Sequence, residues 1–482
     1  MKRHPRLFTT IASIWLLTYV LSLLSLARQA QSTGPAVLQL KRWIAAYDNS
    51  NWDAYREFLA TNVAPKAENI FQDRSVRRQT GAFELIKIEK ETPTQVVALL
   101  NGHDSEKVGR IVVEVEAIEP HRILKLQARA IPRPLDLPLP HLEESGLIAG
   151  LRQRLNESVS ADTFSGAVLL AKNGQTIFAQ AYGLADREHH IPNSLKTRFR
   201  IGSMNKMFTA VATLQLVSAG KLKLDDLVIK YLPDYPNREL ASKVTISQLL
   251  SHTGGTGDFF GPQFSGRRLE FRTHEDYIRL FGSRPVAFEP GSRFEYSNYG
   301  FIILGAVIEK VGGQSYYNYV RDHVYSPARM ISTGSEPEEQ GVPDLSVGYT
   351  KQEGDIWQPN RFLLPYRGTS AGGGYSTVGD LLQFANALRD NKLLDGYYTK
   401  MLTTGKIDMP FGGRYAYGFQ DRTMNGSHCF GHGGGSPGMN GELEVCQDSD
   451  YTIAVLANMD PEAAGHIAEF IVNRLPTANV KP

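Results

Sequence analysis

A proline-rich segment at residues 131–140, with the sequence IPRPLDLPLP, divides this chain into two unequal parts. Proline fixes its own φ angle and has no backbone N–H to donate, so the segment favours an extended, semi-rigid conformation. A chain of 482 residues is also long for a single domain. The sequence therefore predicts a Pro-rich linker at 131–140 between a small domain at 33–130 and a larger domain at 141–477.

The part before the linker changes from helical to strand-like sequence. Leu40, Trp43 and Tyr47 fall on one face of a helix, and strand-like runs follow. Helices followed by an antiparallel meander predict an α+β accessory domain, which resembles the ketosteroid-isomerase-like cone fold. We find no catalytic pair in it and interpret it as a packing or substrate-gating domain. The predicted helices are 36–47 and 52–59, and the predicted strands are 83–90, 96–100, 110–116 and 122–129.

The first 30 residues have the composition of an export segment. Residues 1–6 are basic, residues 7–26 are largely apolar, and Ser-Leu-Ala at 25–27 offers a cleavage site. An apolar stretch of about 20 residues is nearer to the length of a membrane span than to that of most signal peptides. Residues 1–30 are therefore predicted to be a signal peptide or an N-terminal membrane anchor. Either would place the remaining chain in the periplasm or outside the cell.

Charge and cysteine content limit the partners and the compartment. A formal net charge of +2 gives no indication of a nucleic-acid partner. The only cysteines in the sequence, Cys429 and Cys446, flank His432. If the strands on either side pair around a turn near Pro437 and Gly438, the cysteines lie roughly opposite each other. In an oxidising compartment they can then form a cross-strand disulfide, and two buried thiols are an equally open alternative.

Ser203-Met204-Asn205-Lys206, at the start of a long apolar helix, is the first candidate for chemistry. Residues i and i+3 share a helix face, so the Ser203 hydroxyl and the Lys206 amine can share a hydrogen bond. Apolar surroundings disfavour a charged amine, which makes a lysine a base near neutral pH. The helix N-terminus also directs backbone N–H groups toward the serine. The pattern predicts an activated serine, although Ser-x-x-Lys alone is common where the lysine is solvated.

Two later elements complete an ordered set: Tyr-Ser-Asn at 296–298, before an apolar run, and His-Gly-Gly-Gly at 432–435, before strand-like sequence. Together with Ser203 and Lys206 they resemble the penicillin-recognising serine hydrolases. That family includes class C β-lactamases, D-alanyl-D-alanine peptidases, and related esterases and D-aminopeptidases. The resemblance covers about residues 141–477. Three further segments contribute to it, namely FRIG at 199–202, LLSHTGG at 249–255 and SAGGG at 370–374.

The resemblance implies an α+β fold of the β-lactamase/transpeptidase type, with an antiparallel sheet flanked by helices and a helical lobe. It implies that Ser203 attacks an acyl carbonyl to form an acyl-enzyme, and that Lys206 and Tyr296 share the proton transfers. Which of these two is the general base stays open. No metal or cofactor is implied, and neither the natural substrate nor the oligomeric state is predicted. The residues implied for substrate and oxyanion binding are Asn298, His432, Gly433, Gly434 and Gly435.

The third element departs from the Lys-Thr-Gly of class C β-lactamases. His432 replaces the lysine, and Gly433 replaces the hydroxyl residue that helps to bind a substrate carboxylate. These losses weaken the recognition of β-lactams and C-terminal carboxylates. We therefore predict an exported serine hydrolase of esters or D-peptide amides with weak or no β-lactamase activity, acting on a small-molecule or peptide acyl substrate. The alternative is a non-catalytic, penicillin-binding-like sensor of cell-wall peptides, against which the intact Ser, Lys, Tyr and Asn argue.

A competing motif, Gly-Thr-Ser-Ala-Gly at 368–372, fits the G-x-S-x-G nucleophile elbow of α/β-hydrolases. That elbow needs a strand before the serine and a helix that begins directly after it. Here more glycines follow, and the next helix is expected only near Thr377. Ser370 is therefore predicted to lie in a glycine loop and not to act as the nucleophile. For His252, in another glycine loop, a pocket-lining role and a loop-stabilising hydrogen bond both stay open.

Overall fold

The chain divides into two compact units, residues 1–132 and 133–482. In the described parts, no helix has both the length and the apolar character needed to cross a membrane. The predicted export segment at 1–30 lies outside those parts. The structure, a computed structural model, describes residues 34–49, 51–68, 75–131, 133–134, 136–351, 356–410 and 412–476.

The first unit packs helices on a mixed sheet. Its described elements are α1 (Pro35–Asp48), α2 (Trp52–Asn62), β1 (Val63–Glu68), α3 (Ser75–Thr80), β2 (Phe83–Thr92), β3 (Gln95–Gly102), β4 (Val108–Val115) and β5 (Ile123–Ile131). Strands β2 to β5 form the predicted antiparallel meander, and β1 pairs in parallel with β5. Trp43 and Tyr47 of α1 stack on Phe83 of β2, with ring centroids 5.9 and 5.5 Å apart. The sequence analysis missed β1, and the likeness to the cone fold stays a prediction.

The second unit is built on one eight-stranded antiparallel sheet, with the order β14-β15-β16-β17-β18-β19-β6-β7. The hairpin of β6 and β7 pairs through β6 with β19, so strands from the start and the end of this unit share one sheet. The strands are β6 (Gly166–Lys172), β7 (Gln175–Tyr182), β8 (Leu184–Asp186), β9 (Ile191–Pro192), β10 (Phe199–Arg200), β11 (Tyr349–Thr350), β12 (Gln358–Pro359), β13 (Tyr375–Ser376), β14 (Ile407–Asp408), β15 (Arg414–Tyr415), β16 (Gln420–Met424), β17 (Ser427–Ser436), β18 (Met439–Cys446) and β19 (Tyr451–Ala457).

Helices cover both faces of this sheet. Val168 and Leu170 of β6 pack with α4 and α16, whereas Ala167 and Leu169 pack with the helical lobe that contains α5 and α11. Because successive side chains of a strand point to opposite faces and helices cover both, β6 is apolar from Gly166 to Ala171. The helices are α4 (Glu144–Ser160), α5 (Asn205–Ser218), α6 (Val228–Tyr231), α7 (Arg238–Ala241), α8 (Ile246–Leu250), α9 (Pro262–Ser265), α10 (His274–Phe281), α11 (Asn298–Gly312), α12 (Tyr316–Val320), α13 (Ser326–Ala328), α14 (Val378–Arg389), α15 (Gly396–Thr403) and α16 (Ala463–Val472).

Cys429 and Cys446 are directly opposite each other on β17 and β18 and are joined by a disulfide. Of the two alternatives that the sequence leaves open, the structure therefore contains the disulfide and not two buried thiols. The bond closes a loop between residues 17 positions apart. It also joins the two strands next to the candidate site, because β17 carries residues 432–435.

Replacing both cysteines by serine is expected to lower the free energy of unfolding by about 3 kcal/mol, because the unfolded chain then regains the entropy of an open loop of this size. Urea unfolding of wild type and variant would measure the difference. Wild type in reducing buffer is the control and should behave like the variant. Two titratable thiols in the native, unreduced protein would contradict the disulfide.

Candidate active site

Ser203 lies where a tight turn passes into a buried helix. Gly202–Met204 form a 3-10 turn and α5 begins at Asn205, so Ser203 lies two residues before the helix at whose start the sequence pattern places it. Gly202 has a φ of 49°, a left-handed conformation that glycine adopts without strain. Nearly every residue of α5 is buried, because the helix is apolar on all sides. Lys206, on its first turn, is thereby enclosed.

The Lys206 amine is fully buried and has three oxygen partners. Its Nζ lies 3.1 Å from Ser203 Oγ, 2.7 Å from Asn298 Oδ1 and 2.5 Å from the Ala371 carbonyl oxygen. Burial lowers the pKa of Lys206 to about 7, although the Asp258 carboxylate raises it in part. Near neutral pH, a substantial fraction of the amine is therefore uncharged and can accept a proton.

The Tyr-Ser-Asn turn is held by its own cap and by a histidine. Ser297 caps α11 by accepting a hydrogen bond from the Gly300 N–H at 2.9 Å, so that Asn298 is the first helical residue. The Ser297 N–H in turn donates to His252 Nδ1 at 3.1 Å. Of the two interpretations of His252, the structure therefore supports the loop-stabilising hydrogen bond.

Tyr296 lies beside the amine and the serine. The Lys206 Nζ atom is 4.8 Å from the centroid of the Tyr296 ring. Burial raises the pKa of Tyr296, and its hydrogen bond with Ser203 lowers that pKa only in part. The Tyr296 phenol is therefore protonated at neutral pH, where the lysine amine is close to its own pKa.

Asp258 is a site residue that the sequence analysis missed. Its Oδ2 accepts hydrogen bonds from Asn298 Nδ2 at 2.7 Å and from the Asn298 backbone N–H at 3.4 Å. These bonds orient the Asn298 amide so that its oxygen faces Lys206. The contact joins residues 40 positions apart and has no periodic pattern, so only its position after the glycine loop at 254–257 could have drawn attention to Asp258.

The glycines of β17 allow close approach to the serine turn. A Cβ atom on Gly434 would collide with the Ile201 carbonyl oxygen and lie 3.0 Å from the Ser203 nitrogen. A Cβ atom on Gly202 would lie 2.9 Å from the Gly435 nitrogen. The backbones on either side of Ser203 and Gly435 are therefore adjacent, an arrangement that glycine makes possible.

Gly434→Ala is expected to lower kcat/KM for an ester by roughly 10²-fold or more, because the added methyl group displaces β17 from the serine turn. Steady-state rates and thermal melting of the variant would measure this. Gly379→Ala is the matched control, since a Cβ atom there meets Thr377 Oγ1 at 3.8 Å, an ordinary contact. Full activity of Gly434→Ala would contradict the close approach.

A cavity opens beside Ser203, but His432 and Gly433 do not line it. His432 is only 2% exposed: its Nδ1 lies 2.5 Å from the Gly433 carbonyl oxygen, and its Nε2 lies 2.9 Å from Tyr415 Oη. Burial, together with the charge of Lys206, lowers the pKa of His432 to about 3, so the imidazole is neutral. A Cβ atom on Gly433 would meet the Glu442 carboxylate instead of the cavity.

Ser370 is enclosed in the core. It is 0% exposed, its Oγ donates a hydrogen bond to the Phe301 carbonyl oxygen at 2.8 Å, and the same Oγ lies 2.8 Å from His274 Nε2. His274 Nδ1 lies 3.2 Å from Glu309 Oε1, which completes a Ser-His-Glu chain whose serine and histidine are buried and whose glutamate is partly exposed. Helix α14 begins only at Val378. Ser370 therefore lacks both the strand-turn-helix geometry and the exposure of a nucleophile elbow.

A cavity of about 340 Å³ opens beside the Ser203 hydroxyl. Four of the predicted site residues line it, namely Ser203, Tyr296, Asn298 and Gly435. Lys206 lies behind the serine, and Gly434 lies against the turn that carries it. The structure thus brings together the hydroxyl, the amine and the phenol of the predicted site beside one cavity.

A serine paired with a buried amine, beside an antiparallel sheet and a helical lobe, defines the class of β-lactamase/transpeptidase-like serine hydrolases. The chain belongs to the Beta-lactamase family, which it matches over residues 151–475. This match and the structural neighbours confirm the predicted family and α+β fold.

Three similar proteins illustrate the range of the family. PbpX of Bacillus subtilis (strain 168), named as a penicillin-binding protein, is 31% identical over 310 residues, which are 63% of this chain and 73% of PbpX. Esterase EstB of Burkholderia gladioli is 31% identical over 284 residues, which are 52% of this chain and 72% of EstB. The crystal structure of the penicillin-binding protein from Bacillus halodurans superposes with a TM-score of 0.60 at 33% identity, covering 65% of this chain and 98% of that one.

Proposed function

We propose that this protein is an exported serine hydrolase that forms an acyl-enzyme on Ser203 and hydrolyses an ester or a D-peptide amide bond. The observation that carries the proposal is the 3.1 Å contact between Lys206 Nζ and Ser203 Oγ. Because burial lowers the pKa of Lys206 to about 7, the amine can act as a general base at neutral pH. A hydroxyl in hydrogen-bond contact with such a base is an activated nucleophile.

In the proposed reaction, Lys206 accepts the Ser203 proton while Oγ attacks the acyl carbonyl carbon. The backbone N–H groups of Ser203 and Gly435 stabilise the negative charge on the carbonyl oxygen, and each such donor contributes roughly 3 kcal/mol. The protonated Tyr296 hydroxyl donates a proton to the departing oxygen or nitrogen and regains one from the Lys206 ammonium. Water then attacks the Ser203 ester, gives up its proton through the same groups, and releases the acid and the free serine.

In this proposal Asn298 holds both the base and the substrate. Its Oδ1 accepts from Lys206 Nζ at 2.7 Å, and one hydrogen of its Nδ2 is bound by Asp258 at 2.7 Å. The second Nδ2 hydrogen remains for a substrate carbonyl, and Asn298 lines the cavity. Asn298 and Asp258 thereby connect the position of the amine to that of the substrate.

We propose that β-lactamase activity is weak or absent. His432 is neutral and buried against Tyr415, and Gly433 has no hydroxyl and is directed toward Glu442. Neither residue can supply the cation and hydroxyl that bind a substrate carboxylate. Similarity to EstB, an esterase by name, supports the ester substrate.

A second candidate, a non-catalytic sensor of cell-wall peptides, is favoured by the similarity to penicillin-binding proteins. Initial rates with p-nitrophenyl acetate and nitrocefin would distinguish the candidates. We expect Ser203-dependent ester turnover, with kcat/KM for the ester at least roughly 10²-fold above that for nitrocefin. Equal or faster nitrocefin hydrolysis would overturn the proposed substrate class. Binding of penicillin with no turnover of either compound would favour the sensor.

Export is part of the proposal. The basic and then apolar composition of residues 1–30 and the disulfide between Cys429 and Cys446 support an oxidising compartment. Cell fractionation followed by N-terminal sequencing would test it. A new N-terminus near residue 28 would indicate a cleaved signal peptide. An intact N-terminus on protein in the membrane fraction would indicate an anchor. A cytoplasmic protein would contradict export.

A further inference from the structure

We infer that the cavity beside Ser203 is a subsite for an uncharged, apolar acyl group of aromatic size, and that Phe260 determines specificity at its outer edge. The inference rests on the proposed function and names the substrate class of the same site. It follows from the walls of the cavity, from its charge and from its size.

One wall of the cavity is a continuous aromatic cluster. The Phe259 ring lies 5.1 Å from the Phe264 ring and 5.0 Å from the Tyr277 ring, and Phe260 lies 5.3 Å from Phe264, all measured between centroids. Phe259, Phe264 and Tyr277 are buried, whereas Phe260 is 60% exposed. The wall is therefore fixed at its inner end and solvent-exposed at its outer edge, where a substrate enters.

The remaining walls are largely apolar and carry no charged side chain, although Thr369 and Ser436 also line the cavity. Leu363, Leu364, Pro365 and Met439 line the cavity. Among the described residues that form the walls there is no Lys, Arg, His, Asp or Glu. A carboxylate bound here would lose its hydration without gaining a cation as a partner, which is strongly unfavourable. Transfer of an apolar acyl group from water into the cavity is favourable.

Asp258 connects the aromatic wall to the reacting groups through hydrogen bonds. Its Oδ1 accepts hydrogen bonds from the backbone N–H groups of Phe259 at 2.7 Å and Phe260 at 3.3 Å. Its Oδ2 accepts from Asn298 Nδ2 at 2.7 Å. One carboxylate therefore positions both the wall and the amide that holds Lys206. Its negative charge also disfavours an anionic substrate.

The size and shape of the cavity favour the acyl group over the leaving group. An apolar cavity of about 150 Å³ can hold a benzene ring. The volume of 340 Å³ thus has room for one aromatic ring and the scissile carbonyl. The acyl group must stay bound until water attacks, whereas the leaving group must depart to solvent. The enclosed end formed by Phe264 and Tyr277 suits the part that stays.

The test uses the full-length protein and p-nitrophenyl esters that share one leaving group. We expect kcat/KM for the phenylacetate to exceed that for the acetate by about tenfold or more. The 4-carboxyphenylacetate should fall about tenfold or more below the 4-methylphenylacetate of similar shape. A second series, with one acyl group and several phenol leaving groups of matched acidity but different bulk, should show a much weaker dependence on size.

Phe260→Ala tests the outer edge of the subsite. It should reduce the preference for phenylacetate over acetate by about threefold to tenfold, because the larger acyl group loses its aromatic contact at the outer edge. Tyr397→Ala is the matched control, because Tyr397 is 68% exposed in the same unit and does not line the cavity. Equal melting temperatures of both variants would exclude a general loss of folding.

Each outcome separates the subsite from the proposed function. Ser203-dependent turnover that is insensitive to the acyl group, or that follows the bulk of the leaving group, would overturn the subsite and leave the acyl-enzyme intact. An unchanged preference in Phe260→Ala would overturn the role of Phe260. Turnover that survives Ser203→Ala, or no turnover of any ester or D-peptide amide, would contradict the proposed function itself and the subsite with it.

Discussion

Ser203→Ala is expected to lower kcat/KM for a p-nitrophenyl ester by roughly 10⁴-fold or more, because no atom is then left to form the acyl-enzyme. Ser203 is the only hydroxyl within hydrogen-bond reach of the Lys206 amine among the described residues, at 3.1 Å. The side chain is partly exposed at a turn, so its truncation should not impair folding. Rates of nitrophenol release, with thermal melting of the same samples, would measure the effect.

Ser370→Ala is the matched control, since it removes the serine of the competing G-x-S-x-G motif. Its Oγ is buried against His274 and the Phe301 carbonyl oxygen and does not reach the cavity. The variant should keep acylation, with at most a loss of stability. If Ser370→Ala abolished turnover and Ser203→Ala did not, the nucleophile-elbow interpretation would be right and the present assignment wrong.

Lys206→Met is expected to lower kcat/KM by roughly 10²- to 10⁴-fold, because methionine fills the apolar space without supplying a base. The direction in which kcat/KM changes with pH also tests whether Lys206 is the base. With the pKa of Lys206 at about 7, the amine is protonated and inactive as a base at lower pH, so wild-type kcat/KM should rise as the pH increases through about 7. The variant should lose this step. Rates measured between pH 5.5 and 8.5 would test both statements.

Lys243→Met serves as the control for removal of a lysine, because Lys243 is exposed and pairs with Glu239 at 2.8 Å. It should keep both the rate and the pH step. A step near pH 7 that persists in Lys206→Met would contradict Lys206 as the base. If wild-type kcat/KM rose only at much higher pH, the result would indicate Tyr296 as the base, because burial raises its pKa.

Local patterns in the sequence were sufficient for much of the framework. The Asn-Gly pair at 173–174 predicts the hairpin between β6 and β7, and its φ angles of 51° and 73° suit the expected two-residue turn. The spacing of Ser203 and Lys206 predicts their contact, although Ser203 lies in a 3-10 turn just before the helix. Turn residues and three-residue spacing depend on neighbours in the chain, so the sequence alone contains this information.

Features that depend on distant contacts could not be predicted. Asp258 acts through a hydrogen bond to Asn298, 40 residues away. His432 is hydrogen-bonded to Tyr415, which lies two strands away in the sheet, and it does not line the cavity. Strand β1 is short, contains Pro65 and pairs with β5, which the chain reaches only after a whole meander. Each of these three features depends on which helices and strands become neighbours in the fold. The spacing of apolar residues within one segment does not contain that information.

The acyl-enzyme on Ser203 is tested most directly by mass spectrometry of the intact protein after brief exposure to a p-nitrophenyl ester, followed by peptide mapping. The account predicts an added mass equal to the acyl group, located on the peptide that contains Ser203 and absent from Ser203→Ala. An adduct on any other residue, or turnover that never passes through an adduct in rapidly quenched samples, would contradict it.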